Sequence, residues 1–167
     1  MFRYEHHTYY VGTARFNPQT KEENEVYCKR NNIDGCVYGF PIPMTETIPI
    51  HANVFIIEML NVDKNHECYP GYVTGIGLVS NTLRWKEDTS IYTNREYNRH
   101  IYEGKYILKR DQMNEEQLKI IKRLDWILFH GSSHMKRSTW VTKISTDMVE
   151  YVPLKPLLIH MIEATTS

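Results

Sequence analysis

Val54-Phe55-Ile56-Ile57-Glu58-Met59-Leu60 and, after a polar interval, Tyr72-Val73-Thr74-Gly75-Ile76-Gly77-Leu78-Val79 decide the fold class. The first stretch is mostly β-branched or large and apolar, with the length and composition of a buried strand. The interval between them begins at Asp63 and ends on Pro70-Gly71, which reads as a turn or hairpin tip. In the second strand the glycines of Gly75-Ile76-Gly77 imply a bulge, a sharp bend or a close approach, because glycine otherwise weakens a strand. Adjacent strands with no helix between them do not suit a regularly alternating βαβ sheet. The expected class is therefore α+β.

Working outward, Thr8–Ala14 reads as a strand by its β-branched and aromatic content. Asn17-Pro18 turns the chain, and Thr20 is the expected cap of a helix running to about Asn31. Gly39–Pro49, with three prolines, reads as an extended loop. Ser90–Thr93 and Lys105–Lys109 read as short strands, with polar and aromatic residues between them. Asp111 or Asn114 caps the clearest helix, whose Leu118, Ile121, Leu124, Ile127 and Leu128 recur at spacings of three and four. Trp126 falls inside this pattern and is assigned to the core. Gly131 is the expected helix stop, Trp140–Ser145 alternates like a strand, and Leu157–Ala164 reads as a short terminal helix. Short strands and glycine kinks together predict a small, strongly bent sheet or partly closed β-barrel with flanking helices. A chain of 167 residues without a Gly-, Ser- or Pro-rich linker is expected to form a single domain over residues 1–167.

Lys+Arg and Asp+Glu are 20 each, so the net formal charge is zero and any polyanion site must be local. Three cysteines, an odd number, and the lack of a charged-then-apolar leader lead to the expectation of a soluble intracellular protein without a disulfide set. No apolar run approaches the roughly 18 to 20 residues that span a bilayer. Neither a cofactor nor a metal is implied, since no Cys or His pair has zinc-site spacing.

Two segments carry the candidate chemistry. Gly131–Trp140 gathers Ser132, Ser133, His134, Lys136, Arg137 and Trp140 after a helix. Arginine forks onto phosphate and lysine supplies a point charge. The negative end of the helix dipole opposes an anion there, so any attraction must come from Lys136 and Arg137 themselves. Tyr97-Asn98-Arg99 interleaves aromatic and cationic groups, a combination that can stack a base while holding a phosphate. Trp85 offers a third piece. A carboxylate-bound Mg2+ at Glu58, Asp63 and Asp88 is the alternative, which would make a small nuclease or hydrolase.

The strand, polar tip and Gly75-Ile76-Gly77 strand resemble the central hairpin of PUA-like domains, which include the EVE, YTH and ASCH families, over roughly Tyr9–Val79. That resemblance implies a small bent barrel with flanking helices and a binding module for RNA or DNA, in some members for a modified base. The phrases Gly75–Val79, Tyr97–Arg99, Tyr102–Tyr106 and Leu128–Arg137 also resemble an uncharacterised family of large eukaryotic DNA viruses. This second likeness implies a viral protein in the host cytoplasm or nucleus and brings no activity with it. The resulting expectation is a noncatalytic module for RNA or single-stranded nucleic acid, with Lys136, Arg137, His134, Ser132, Trp140, Arg99, Tyr97, Asn98 and Trp85 as its contacts. A viral protein-interaction module is the other binding reading, and neither reading involves a membrane.

Overall fold

The computed structural model describes residues 1–44, 48–62, 71–84, 89–130 and 141–167. It is an α+β structure with a mixed sheet and flanking helices. The strands are β1 (Phe2–Tyr4), β2 (His7–Phe16), β3 (Cys36–Phe40), β4 (Asn53–Asn61), β5 (Gly71–Ser80), β6 (His100–Gly104), β7 (Tyr106–Lys109) and β8 (Thr142–Lys143). The helices are α1 (Pro18–Arg30), α2 (Glu115–Phe129), α3 (Thr146–Tyr151) and α4 (Leu154–Thr166). The larger sheet runs β1-β2-β4-β5-β7, with β8 also on β2, and β3 pairs with β6 in a smaller one. β2 and β4 are parallel, from Tyr9↔Asn53 to Phe16↔Leu60, whereas every other pairing among the described residues is antiparallel.

β4 lies centrally and is buried on both faces, which explains why its sequence is nearly continuous in apolar residues. Phe55, Ile57 and Met59 face a core shared with Ile121, Leu124 and Leu128 of α2 and with Leu154, Leu158 and Met161 of α4. Val54 and Ile56 face the other core, which contains Tyr38, Phe40 and Tyr102 of the smaller sheet. Burying one such Leu or Ile stabilises the fold by about 1.5–3 kcal/mol. The chain from His100 to Lys109 belongs to both sheets, changing from β3 to β5 as its partner at Lys105. This bend folds the smaller sheet over the second face of β4 and β5. The expected α+β class with a multi-strand sheet and flanking helices is thus found, and no closed barrel forms among the described residues.

Several expectations need correction. Asn17, not Thr20, caps α1: its side chain accepts from the Thr20 N–H at 2.8 Å, and the Thr20 hydroxyl accepts from the Asn17 N–H at 3.0 Å. Pro18 at the first helical position suits this start. The Gly39–Pro49 loop begins inside β3, which pairing with β6 stabilises despite its flanking turn residues. Ser90–Thr93 is not a strand. Its Ile91 and Tyr92 N–H groups instead donate to the Asn98 side chain. Of the expected Trp140–Ser145 strand, Trp140 lies outside the described residues, and among the rest only Thr142–Lys143 is strand, with α3 following, capped by Ser145. Trp126 is 59% exposed and is not a core residue.

Gly75-Ile76-Gly77 has two jobs. Glu58 pairs with Gly75 and Met59 with Val73, so Thr74 is an extra, bulged residue opposite the Glu58/Met59 step. A bulge re-aims side chains. Gly77 lies where a Cβ would collide with the Tyr38 hydroxyl. Gly77→Ala should destabilise the fold by about 1–3 kcal/mol through this overpacking. Urea unfolding checks it, and a cost below about 0.5 kcal/mol would show that Tyr38 is free to move aside.

Candidate functional site

The sequence puts a carboxylate, Glu58, into the middle of a buried strand, and only 3% of it is exposed. A buried charge must be paired and hydrogen-bonded to persist. Here it receives three donors from three elements. The Lys21 ammonium of α1 is 2.9 Å from Oε2, the Thr74 hydroxyl donates to Oε2 at 3.0 Å, and the Tyr38 hydroxyl of β3 donates to Oε1 at 2.8 Å. Burial pushes the Tyr38 phenol well above its usual range, followed by the nearby Cys36 and Glu58. It therefore stays a neutral donor.

α1 is built to serve this group. Lys21, Asn24 and Cys28 recur at spacings of three and four and so share one helix face. Asn24 is 6% exposed, and its amide donates to the Val37 carbonyl at 2.7 Å and to the Tyr92 hydroxyl at 2.9 Å. The apolar Val26 is 47% exposed. A helix that turns polar groups inward and valine outward has inverted its normal pattern.

Between α1 and the sheet lies a cavity of about 630 Å3, within the range of small-molecule sites. Its walls hold four cationic side chains, Lys21, Lys29, Lys109 and Arg110, against the three carboxylates of Glu25, Glu58 and Asp111. Glu58 is already matched by Lys21. Tyr72, 40% exposed, is also on the wall, with the Arg110 guanidinium 5.7 Å from its ring centre. Arg110 is fixed from behind, donating to Asp125 Oδ2 and to the Val73 carbonyl, each at 2.9 Å. The Val73 N–H donates to Asp125 Oδ1 at 2.7 Å, so α2 satisfies backbone at the bulge. Desolvation raises the Asp125 carboxyl pKa, opposed by the Val73 N–H and Arg110.

Two thiols, Cys28 and Cys36, also line the cavity. Burial pushes the Cys36 thiol up to about 12, with the Glu58 charge second, and burial likewise raises Cys28. Neither is activated as a nucleophile, which would need a lowered pKa. Among the described residues no three His, Cys, Asp or Glu side chains form a metal-binding group. Glu58 is held by Lys21 instead, and Asp63 and Asp88 lie outside the described residues.

Ser132, His134, Lys136, Arg137, Trp140 and Trp85 of the expected contacts, together with the Gly131 stop, also lie outside the described residues. Tyr97, Asn98 and Arg99 occupy the turn before β6 and do not line the cavity. The Tyr97 ring packs edge-on against Tyr92, with centroids 6.1 Å apart. The Asn98 oxygen accepts from the Ile91 and Tyr92 N–H groups, and its amide donates to the Tyr92 carbonyl at 2.8 Å. Arg99 is 62% exposed and 3.8 Å from Glu96. Lys21, Tyr38 and Thr74 escaped sequence reasoning. The signal that could have found them is a glutamate inside an otherwise apolar strand.

Removing one partner of a buried ion pair leaves the other uncompensated, so Glu58→Gln and Lys21→Met should each cost about 3 kcal/mol. The double variant should cost at least about 1 kcal/mol less than the sum. A double-mutant cycle of urea midpoints measures this, and simple additivity would dissolve the pairing. Alkaline pH tests the thiol. Cys36 has a folded pKa raised above its unfolded one, so its contribution is fully present below about pH 9 and is lost as pH rises towards 12. Unfolding free energy should fall above about pH 9, by at most about 1.4 kcal/mol per pH unit for this group. Cys36→Ala should flatten the fall between about pH 9 and 10, and an unchanged slope would exclude Cys36 as its source.

No family model, curated protein or solved structure matches this chain.

Proposed function

We propose that this protein is a noncatalytic, PUA-like module that binds single-stranded nucleic acid, RNA in particular, and takes one nucleotide into the cavity beside α1. The observation that carries the reading is the combination of four cationic side chains and the Tyr72 ring on the walls of one cavity of about 630 Å3. Lys29 and Lys109 are exposed and offer point charges to phosphate, while Arg110 offers a planar fork. Tyr72 gives a base a ring to stack on, and stacking tolerates any base because each has a π face. Glu58 acts through Lys21, holding the ammonium at the cavity floor where it donates to the ligand. The bent sheet with its central β4–β5 hairpin supports the PUA-like likeness, and a viral intracellular setting remains part of the same proposal. No helix among the described residues is long and apolar enough to cross a membrane.

A chain with no net charge has no long-range pull on a polyanion. Its affinity must come from these few contacts, and it should fall with salt in proportion to their number. Lys29→Ala/Lys109→Ala should weaken binding of a fluorescein-labelled 12-nucleotide oligouridylate about tenfold and lower the log–log salt slope by about 1.4, two single-strand phosphate contacts. Fluorescence anisotropy at several salt concentrations reads both quantities. Wild-type affinity and slope in the double variant would reject the cavity as the binding site.

A further inference from the structure

α2 carries a second surface on its solvent side. Ile121, Leu124 and Leu128 turn into the core, which fixes the helix's rotation. Lys119, Lys122, Arg123 and Trp126 are then all exposed, at spacings that put them on one face. Glu115 and Glu116 are confined to the first turn. Asp125, the remaining acid of the helix, is 3% exposed and turned inward to Arg110 and the Val73 N–H. From Lys119 to Trp126 the exposed face therefore carries three cations and no acid, and none of the three cations is in an ion pair among the described residues. None of the three cations lies in the last turn of α2, so helix-dipole compensation does not account for them, and it gives no reason for an indole that is 59% exposed. Trp126 also packs against His130 in a tilted pair, with ring centroids 4.3 Å apart and planes inclined by 35°.

We infer that this face of α2 is a contact surface for single-stranded RNA, with phosphates on Lys119, Lys122 and Arg123 and a base on the Trp126 indole. Cations beside an exposed aromatic are the chemistry that tracks a single strand. The inference rests on the reading that the protein binds single-stranded nucleic acid, and it extends the footprint to a different element. Arg110 joins the two surfaces, since it lines the cavity and is bonded to α2 through Asp125.

The test uses the full chain and the labelled 12-nucleotide oligouridylate. Lys119→Ala/Lys122→Ala/Arg123→Ala should weaken binding at least tenfold and lower the log–log salt slope by about 2, three single-strand phosphate contacts. Trp126→Ala should weaken binding about tenfold with the slope unchanged, and Trp126→Phe should restore most of the loss, because stacking needs a π face. All four side chains are exposed, so circular dichroism and Tm should stay as in the wild type. If the α2 variants bind like the wild type while Lys29→Ala/Lys109→Ala loses affinity, this inference fails and the cavity reading stands. If the wild-type protein binds no oligouridylate, both fail. Equal competition by polyglutamate together with a neutral Trp126→Ala would assign the face to an acidic protein and overturn the inference.

Discussion

A buried carboxylate in the central strand sets the terms for everything around it. Glu58 cannot be solvated where it lies, so α1, β3 and the β5 bulge must each bring a donor to it. The Lys21–Glu58 contact thus does more than join two charges, because with the Asn24 bonds to Val37 and Tyr92 it ties α1 to the structure beneath it. The space left between them is the cavity. An apolar residue at this position would let α1 settle on a dry interface, as most helices do on a sheet face.

The same requirement explains why the helix looks wrong by ordinary patterning. Lys21 and Asn24 face inward because the sheet offers a carboxylate and a carbonyl, and the segment before β6 adds the Tyr92 phenol. Tyr38 and Thr74 reach Glu58 only through tertiary arrangement, one by the folding over of β3 and the other by a one-residue bulge. Buried polar networks of this kind impose a single geometry, since any slip of register would strand a charge without partners.

The strands of the central hairpin and helix α2 were legible from the sequence because each shows a strong local period. β3 and β6 were not, because their stability comes from pairing with each other across about 60 residues of chain and not from local pattern. Trp126 misled for a related reason. A spacing argument places a residue near an apolar stripe, but only the packing of α2 against β5 decides which edge of the stripe is covered. Glu58 was visible as an isolated carboxylate, while its partners were hidden because no spacing connects Lys21, Tyr38 and Thr74.

The parallel pairing of β2 with β4 bears on how the chain reaches this state. β1–β2 is a local hairpin, and β4–β5 is another whose partners are close in sequence, but the two meet only through a pairing that brings Phe16 to Leu60. Contacts of such separation form late, because the loop must close before any bond rewards it. Until then both hairpins present an edge of unpaired backbone groups, Val11 to Phe16 on one and Val54 to Leu60 on the other. Their docking is the step at which folding competes with self-association.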